Sequence, residues 1–273
     1  MLKNHKLLVD AHCPMCTLYG KCFTSLGLID DKTVNPYQIE ANNSYLSIDM
    51  ERAKSEIALH NLATNHTSYG IDAFIEILSQ GNHLIKGILQ LTPIYFVLNI
   101  LYMFISVNRK VITRPVRLDQ VDPCHPSLNI TYRVVYILTA TLVTGLLLTS
   151  FTSSLFLKIG WPVSLHLELI VCSGQVFFQW IVFKTLYTKN VWEYLGHMAS
   201  ISLMGAITLY TVSLILPLSS LSILALLMLF FGVVGSMFLE HILRSHRLGF
   251  NYSLTFSWIV YRSIVLLILI ILL

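Results

Sequence analysis

The sequence predicts two fold classes in one chain: an α/β N-terminal domain and an all-α transmembrane helical bundle. Three observations carry this. The chain of 273 residues is 55% hydrophobic and only 12% charged, where an ordinary soluble domain has about 25% charged residues. The charge is unevenly spread: residues 1–120 hold 11 Lys/Arg and 10 Asp/Glu, and residues 121–273 hold 7 and 4. The second part is built of apolar runs close to the ~20 residues that a bilayer-spanning helix requires. The expected division is a domain over 1–112, a linker over 113–131 and a membrane domain of about five helices over 132–273.

In chain order, Leu7-Leu8-Val9 forms a short strand and runs into Asp10-Ala11-His12-Cys13-Pro14-Met15-Cys16, with a helix from Thr17 to Ser25. Strand, Cys-x-x-Cys and helix is the setting in which such a pair reads as redox-active. Thiolate is the reacting species, and a helix N-terminus offers free N–H groups and partial positive charge, which lower the pKa of the first cysteine. Cys13 is then expected to be the exposed nucleophile and Cys16 the resolving thiol. Zinc is the competing use, but structural zinc needs four ligands, and no second Cys-x-x-Cys or His-x-x-His pair is present. A third reading is a pair that has lost its activity. Asp10 either exchanges a proton with Cys16 or accepts hydrogen bonds from turn amides.

Further on, 33–38 reads as a strand, at an edge because of Pro36. Residues 49–63 read as a helix, 65–69 as a turn or short strand, and Asp72 as the N-cap of another helix. The order β-α-β-α-(β)-α fits a reduced thioredoxin-like domain. The stretch 88–107 carries no formal charge and is long enough to span. Gln90, Thr92, Pro93, Asn99 and Ser106 interrupt it, which favours an amphipathic helix lying on the membrane or on the domain. A span here would move Cys13 to the other side of the membrane.

Asp10-x-x-Cys13-x-x-Cys16 resembles the signature of the DCC family of thiol-disulfide oxidoreductase-like proteins. Asn35-Pro36-Tyr37-Gln38 is similar to that family's Pro-x-Gln strand, Asp72-Ala73 to its helix-opening pair, and the stretch from Pro93 to Asn108-Arg109-Lys110 to its closing amphipathic helix. The likeness covers residues 6–112. It departs at Val9-Asp10-Ala11, where the family commonly has Tyr-Asp-Gly. The resemblance implies a thioredoxin-like fold, dithiol–disulfide exchange at Cys13 and Cys16, and a protein or small-molecule disulfide or thiol as partner. No nucleic-acid motif is visible.

The expected spans are 132–152, 164–187, 194–216, 220–243 and 253–273. Nine Lys/Arg residues flank alternate ends of these spans, against Lys158 alone at the others. By the positive-inside rule, and with no apolar core of signal-peptide length before Asp10, the N-terminal domain is expected in the cytosol. The expected location is a bacterial inner membrane. In a cytosolic setting the pair would be kept mainly reduced. The Asn42 and Asn65 glycosylation patterns would then be fortuitous. Cys22 and Cys172 read as packing residues and Cys124 as a linker residue. Gly196, Gly205, Gly232 and Gly235 are expected at close helix contacts, and the four tryptophans near membrane interfaces.

Ionisable residues inside spans are costly and mark functional sites by default. His166 and Glu168 open the second span. Glu193 and His197 start the third, Glu240, His241 and Arg244 close the fourth, and Arg262 lies nine residues into the fifth. Two uses are open: ion pairs such as Glu240 with Arg244 or Arg262, or a ligand site. For the second, the expectation is a membrane polar cluster of His197, Glu240, His241 and Arg262, on the side of Cys13. Arg262 and His241 would donate to a quinone or anionic headgroup, with Glu240 as the partner of Arg262. A bis-histidine haem between His197 and His241 is a further possibility.

Overall fold

In the computed structural model the described residues are 2, 4–11, 13–40, 48–115, 128–161 and 164–271. His12, Asn42, Cys124, most of the linker and the last two residues of the fifth expected span lie outside them. The chain divides into two compact units, 1–129 and 130–273.

The first unit runs β1 (His5–Val9), α1 (Pro14–Ser25), β2 (Val34–Pro36), α2 (Tyr37–Glu40), α3 (Met50–Ser55), β3 (Ala58–Asn61), β4 (His66–Tyr69), α4 (Gly70–Ser79), α5 (His83–Leu89) and α6 (Thr92–Ile112). The four strands form one mixed sheet in the order β2-β1-β3-β4. β1 pairs in parallel with β2, Leu7 opposite Val34, and antiparallel with β3, Leu7 opposite Leu59. Successive side chains of a strand face opposite sides. Leu7 and Val9 therefore pack with Cys16, Phe23, Leu59 and Ile77 on one face, while Leu8 packs with Tyr37, Ala53 and Ala58 on the other. Both faces are covered, which is why β1 reads as an unbroken apolar run. β2 lies at the edge, where Pro36, which has no N–H to donate, is tolerated.

Three expectations are corrected here. α1 begins at Pro14, not Thr17, because proline suits the first helical position, whose N–H has no partner anyway. The expected helix 49–63 is a short helix followed by a strand. Asp49 caps α3 by accepting from the N–H groups of Glu51 and Arg52. Ile57 and Leu59 then fall two apart on one buried face, a strand period, and β3 supplies the antiparallel partner that β1 needs. Asp72 sits in the first turn of α4 rather than at its N-cap, which is Tyr69. α4 opens on Gly70 at φ +58°, where an added Cβ would lie 2.6 Å from the Glu56 carboxylate, so this corner requires glycine.

The second unit holds α7 (Ile130–Ile159), α8 (Leu165–Leu186), α9 (Val191–Ile215), α10 (Ile223–Arg247) and α11 (Ser253–Ile271). All five are long and apolar enough to cross a membrane, as is α6 by length and composition, and the protein is an integral membrane protein. The expected spans fall on α7–α11 with shifted ends. α7 has 30 residues, about 45 Å at 1.5 Å per residue, longer than a ~30 Å hydrocarbon core. Nothing breaks it before Gly160 at φ +79°. Of the expected contact glycines, Gly205 meets Met237 of α10, but Gly232 and Gly235 have open space where a Cβ would stand. Gly145, against Leu169 of α8, and Gly174, against Tyr261 of α11, make the close approaches instead. Trp258 is buried rather than interfacial; it stacks on His241 with ring centroids 6.2 Å apart.

Candidate functional site

Asp10 leaves the end of β1, and its carbonyl accepts from the Cys13 N–H at 3.2 Å. That turn makes Cys13 the N-cap of α1 and places Cys16 in the first turn. The side chain of Thr17 donates to the Cys13 carbonyl. Neither cysteine is in a disulfide. Both thiols are covered: Cys13 is 4% exposed and Cys16 2%. The expectation of an exposed nucleophile is therefore corrected. The same core that fixes β1 against α1 and α4 closes over the sulfurs, and the surface at this point is formed by Ala11 and Pro14.

Asp10 is itself buried. Gln38, which begins just after β2, donates from Nε2 to its Oδ1 at 2.7 Å and accepts from the Ala11 N–H. The Asp10 carboxylate is thus held by a side chain from α2, the short helix that follows the neighbouring parallel strand, across the loop that carries the cysteines.

The residue that sequence reasoning missed is Arg109. It is buried near the end of α6. Its Nη1 donates to Cys16 Sγ at 3.5 Å, and its Nη2 to the Lys54 carbonyl at 3.0 Å. In the sequence it reads as a flanking charge that sets membrane orientation. The available signal was phase: Tyr102, Ser106 and Arg109 lie on one stripe of α6, spaced four and three apart. Tyr102 accepts from the Ile57 N–H, and Ser106 donates to the Ser55 carbonyl. The stripe therefore faces the start of β3, and Arg109 is its last member.

The Cys13 thiol, hydrogen-bonded to Cys16, and then burial push the Cys16 pKa well above the ordinary thiol value; the Arg109 charge opposes them. Burial and the neighbouring sulfurs raise Tyr19, which packs edge-on to Phe74, to about 12. The arrangement is a dithiol with a fixed cation beneath it. It keeps the proton on Cys16 and provides positive charge for whichever sulfur becomes anionic.

In the membrane unit the expected cluster separates into three parts. Glu240 pairs with Arg244, one turn along the same helix, at 2.8 Å, and Arg244 Nη1 lies 3.2 Å from His197 Nδ1 of α9. His241 faces the other way. Its Nε2 is 3.2 Å from the Tyr194 hydroxyl and its Nδ1 2.8 Å from that of Thr255; Tyr194 donates to Gln179 at 2.8 Å. Arg262 does not meet Glu240, which corrects that expectation. A partner at i,i+4 needs no second helix, so Arg244 takes Glu240. α11 packs mainly along α8, and Arg262 instead reaches Cys172 and the field of Glu168 on that helix, with its guanidinium 5.8 Å from the Trp258 ring centre.

Arg262 borders a narrow crevice with room for about one water molecule, lined also by Thr144 of α7, Gln175 of α8 and Met198 and Ala199 of α9. Gln175 and Thr144 are 1% and 2% exposed, and neither the amide of Gln175 nor the hydroxyl of Thr144 has a hydrogen-bond partner in the protein.

A bis-histidine haem does not fit. A neutral imidazole has one lone pair. That of His197 faces the Arg244 donor, and both nitrogens of His241 are engaged by hydroxyls. Among the described residues no cluster of three or more His, Cys, Asp or Glu could hold a metal ion.

No protein-family model, curated protein or solved structure matches this chain.

Two outcomes follow from these contacts. The Cys16 pKa is higher in the folded protein than its unfolded value of 9.0, so the unfolded chain ionises first. This contribution to stability is complete below pH 9 and is lost as the pH rises beyond it. Tyr19 adds a second loss above pH 10. The melting temperature of the reduced protein in detergent should fall as the pH rises above 9, and Cys16→Ser should flatten the part between 9 and 10. A wild-type profile that is flat or rises with pH contradicts this. Glu240→Gln strips the buried Arg244 of its counter-charge and should cost roughly 3–5 kcal/mol. Glu193→Gln at an exposed position should stay within about 0.5 kcal/mol. Equal thermal shifts for the two variants would rule out a structural role for the Glu240 pair.

Proposed function

We propose that this protein is a membrane-bound thiol-disulfide oxidoreductase with a thioredoxin-like, DCC-type domain on the cytosolic side of a bacterial inner membrane. The strand order β2-β1-β3-β4, with β1 and β2 parallel and β3 and β4 antiparallel, supports the thioredoxin-like assignment. The observation that carries the reaction is the buried Arg109 guanidinium 3.5 Å from the Cys16 sulfur. A cation at that depth has no packing purpose that a leucine would not serve better, and it is suited to stabilising a thiolate.

In the forward direction the Cys13 thiolate attacks one sulfur of a partner disulfide. A Cys13–partner bond forms, the partner's S–S bond breaks, and the leaving sulfur departs as a thiolate. Cys16 then loses its proton and attacks Cys13, releasing the second partner thiolate and leaving a Cys13–Cys16 disulfide. Two electrons and two protons pass to the partner. A cytosolic thiol reductant restores the pair by the same steps in reverse. Arg109 supports the charge on Cys16 during the second attack. Asp10, held by Gln38, keeps the Cys13 turn in place.

Burial of both thiols favours a second reading, in which the pair is a slow redox sensor or a relic on a membrane scaffold. Trapping separates the two. Cys16→Ser expressed in cells should accumulate mixed disulfides that dissolve with dithiothreitol and vanish in Cys13→Ser, Cys16→Ser. Absence of any Cys13-dependent adduct favours the scaffold.

For the membrane unit, the crevice beside Arg262 has room for a single oxygen, such as one ring oxygen of a lipid-soluble quinone whose ring stays outside it. Glu168 already offsets the Arg262 charge. The Gln175 amide and Thr144 hydroxyl can each donate to a carbonyl or accept from a hydroxyl, and Val176, Met198 and Ala199 supply an apolar wall. Solvent extraction of the purified protein should yield a quinone that is lost in Gln175→Leu at unchanged melting temperature. A wild-type extract without quinone removes this assignment.

A further inference from the structure

α6 satisfies the length and composition of a membrane span, yet its contacts forbid it to be one. Tyr95 lies in the field of Asp72 of α4. Tyr102 accepts from the Ile57 N–H, Ser106 donates to the Ser55 carbonyl, and Arg109 reaches Cys16 and the Lys54 carbonyl. These positions follow one another at spacings of seven, four and three, a single stripe along one side of the helix. The helix is therefore fastened lengthwise to its own domain. Even if Tyr95 and Tyr102 were released, the part before Ser106 is 14 residues, about 21 Å, against a hydrocarbon core of ~30 Å.

The opposite side of the same helix is apolar and uncovered. Phe96, Val97, Ile100 and Leu101 are each at least half exposed, and α5 continues the patch with Leu84 and Ile88. A row of this kind facing water would be a liability in a protein that stays in solution. Within the two helices and their flanks the charges are basic: no acidic residue occurs between Glu76 and Asp119 in sequence, and Lys86, Lys110 and Arg114 lie in that interval. An apolar helix face rimmed by cations is the form that binds in the plane of an anionic lipid surface. The bilayer is also within reach, because residues 113–129 join α6 to the first helix of the membrane unit and span at most about 60 Å.

We propose that α5 and α6 lie flat in the headgroup layer of the bilayer, with the Phe96–Leu101 face towards the acyl chains and the Tyr102–Arg109 face towards the sheet. The domain is then a peripheral body held on one leaflet by its own helix. α6 does not cross, so residues before and after it share one side of the membrane. The helix that docks on lipid is also the one whose Arg109 touches the cysteine pair.

The test uses the full-length protein in nanodiscs of phosphatidylcholine and phosphatidylglycerol at 3:1, with an environment-sensitive fluorescent amino acid at Leu84, Phe96 or Ile100, and at exposed Leu26 as control. Insertion of ~5–10 Å predicts that lipids brominated near the headgroup quench the first three sites at least about twofold more than lipids brominated near the chain ends. Leu26 should not be quenched. Quenching that deepens steadily from Leu84 through Ile100 means a span and overturns the proposal. No quenching at any site means that protein covers the face, and also overturns it; light scattering then tells whether a second copy is the cover. Independently, in a Cys124→Ser background, exposed Cys22 and an Arg114→Cys substitution should react with an impermeant maleimide from the same face of sealed vesicles. Reaction from opposite faces overturns the proposal.

Discussion

A buried guanidinium is costly without acceptors, and that constraint shapes both units, although Arg133 on α7 is buried with no partner for its Nε and Nη1 among the described residues. Arg109 is almost fully covered, and removing such a charge from water costs several kcal/mol unless hydrogen bonds replace the solvent. Its acceptors are the Lys54 carbonyl, at the end of a short helix, and Cys16 Sγ, in the first turn of another. These come from segments far apart in sequence, so satisfying one side chain fixes α6 against α1 and α3 together. The position of Cys16 is thereby tied to a helix that begins more than seventy residues later. Arg244 obeys the same rule through Glu240 and His197.

The same constraint shows why the site is dry. A cation close to a thiol acts most strongly where water does not screen it. The apolar cluster around Leu7, Phe23 and Ile77 excludes water from the sulfurs and so strengthens the Arg109 interaction, while burial itself opposes ionisation of Cys16. These effects have opposite signs, and here burial together with the Cys13 hydrogen bond outweighs the guanidinium. The balance therefore favours the protonated Cys16 thiol.

Much of this was legible from the residues. The Cys-x-x-Cys pair after a strand, the edge strand at Pro36 and the five apolar helices all follow from local rules, and local rules suffice when the neighbours in space are neighbours in sequence. β3 is not legible locally, because Ile57, Leu59 and Leu62 also fit a helical run; the strand is decided by β1, some fifty residues away. Arg109 was missed because a charge at the end of an apolar stretch has the same appearance whether it faces headgroups or a thiol. The pairing of Glu240 with Arg244 was readable from i,i+4 spacing. The placement of Arg262 was not, since it depends on α11 packing along α8 rather than α10.

α6 shows why composition alone assigns membrane spans poorly at domain boundaries. Its mean hydropathy is the lowest of the six candidate helices, 1.2 against 1.5 to 2.3 for the others. Polar positions along it, among them Tyr102, Ser106, Asn108 and Arg109, lower the average. On a lipid-facing span each of these would be an unsatisfied polar group. On a helix that also covers a sheet they are the contacts, and the apolar residues between them fall on the far side because 3.6 residues per turn separates the two sets. A helix with two buried faces of different chemistry, one protein and one lipid, needs no excess of charged residues, and its sequence is that of a weak span.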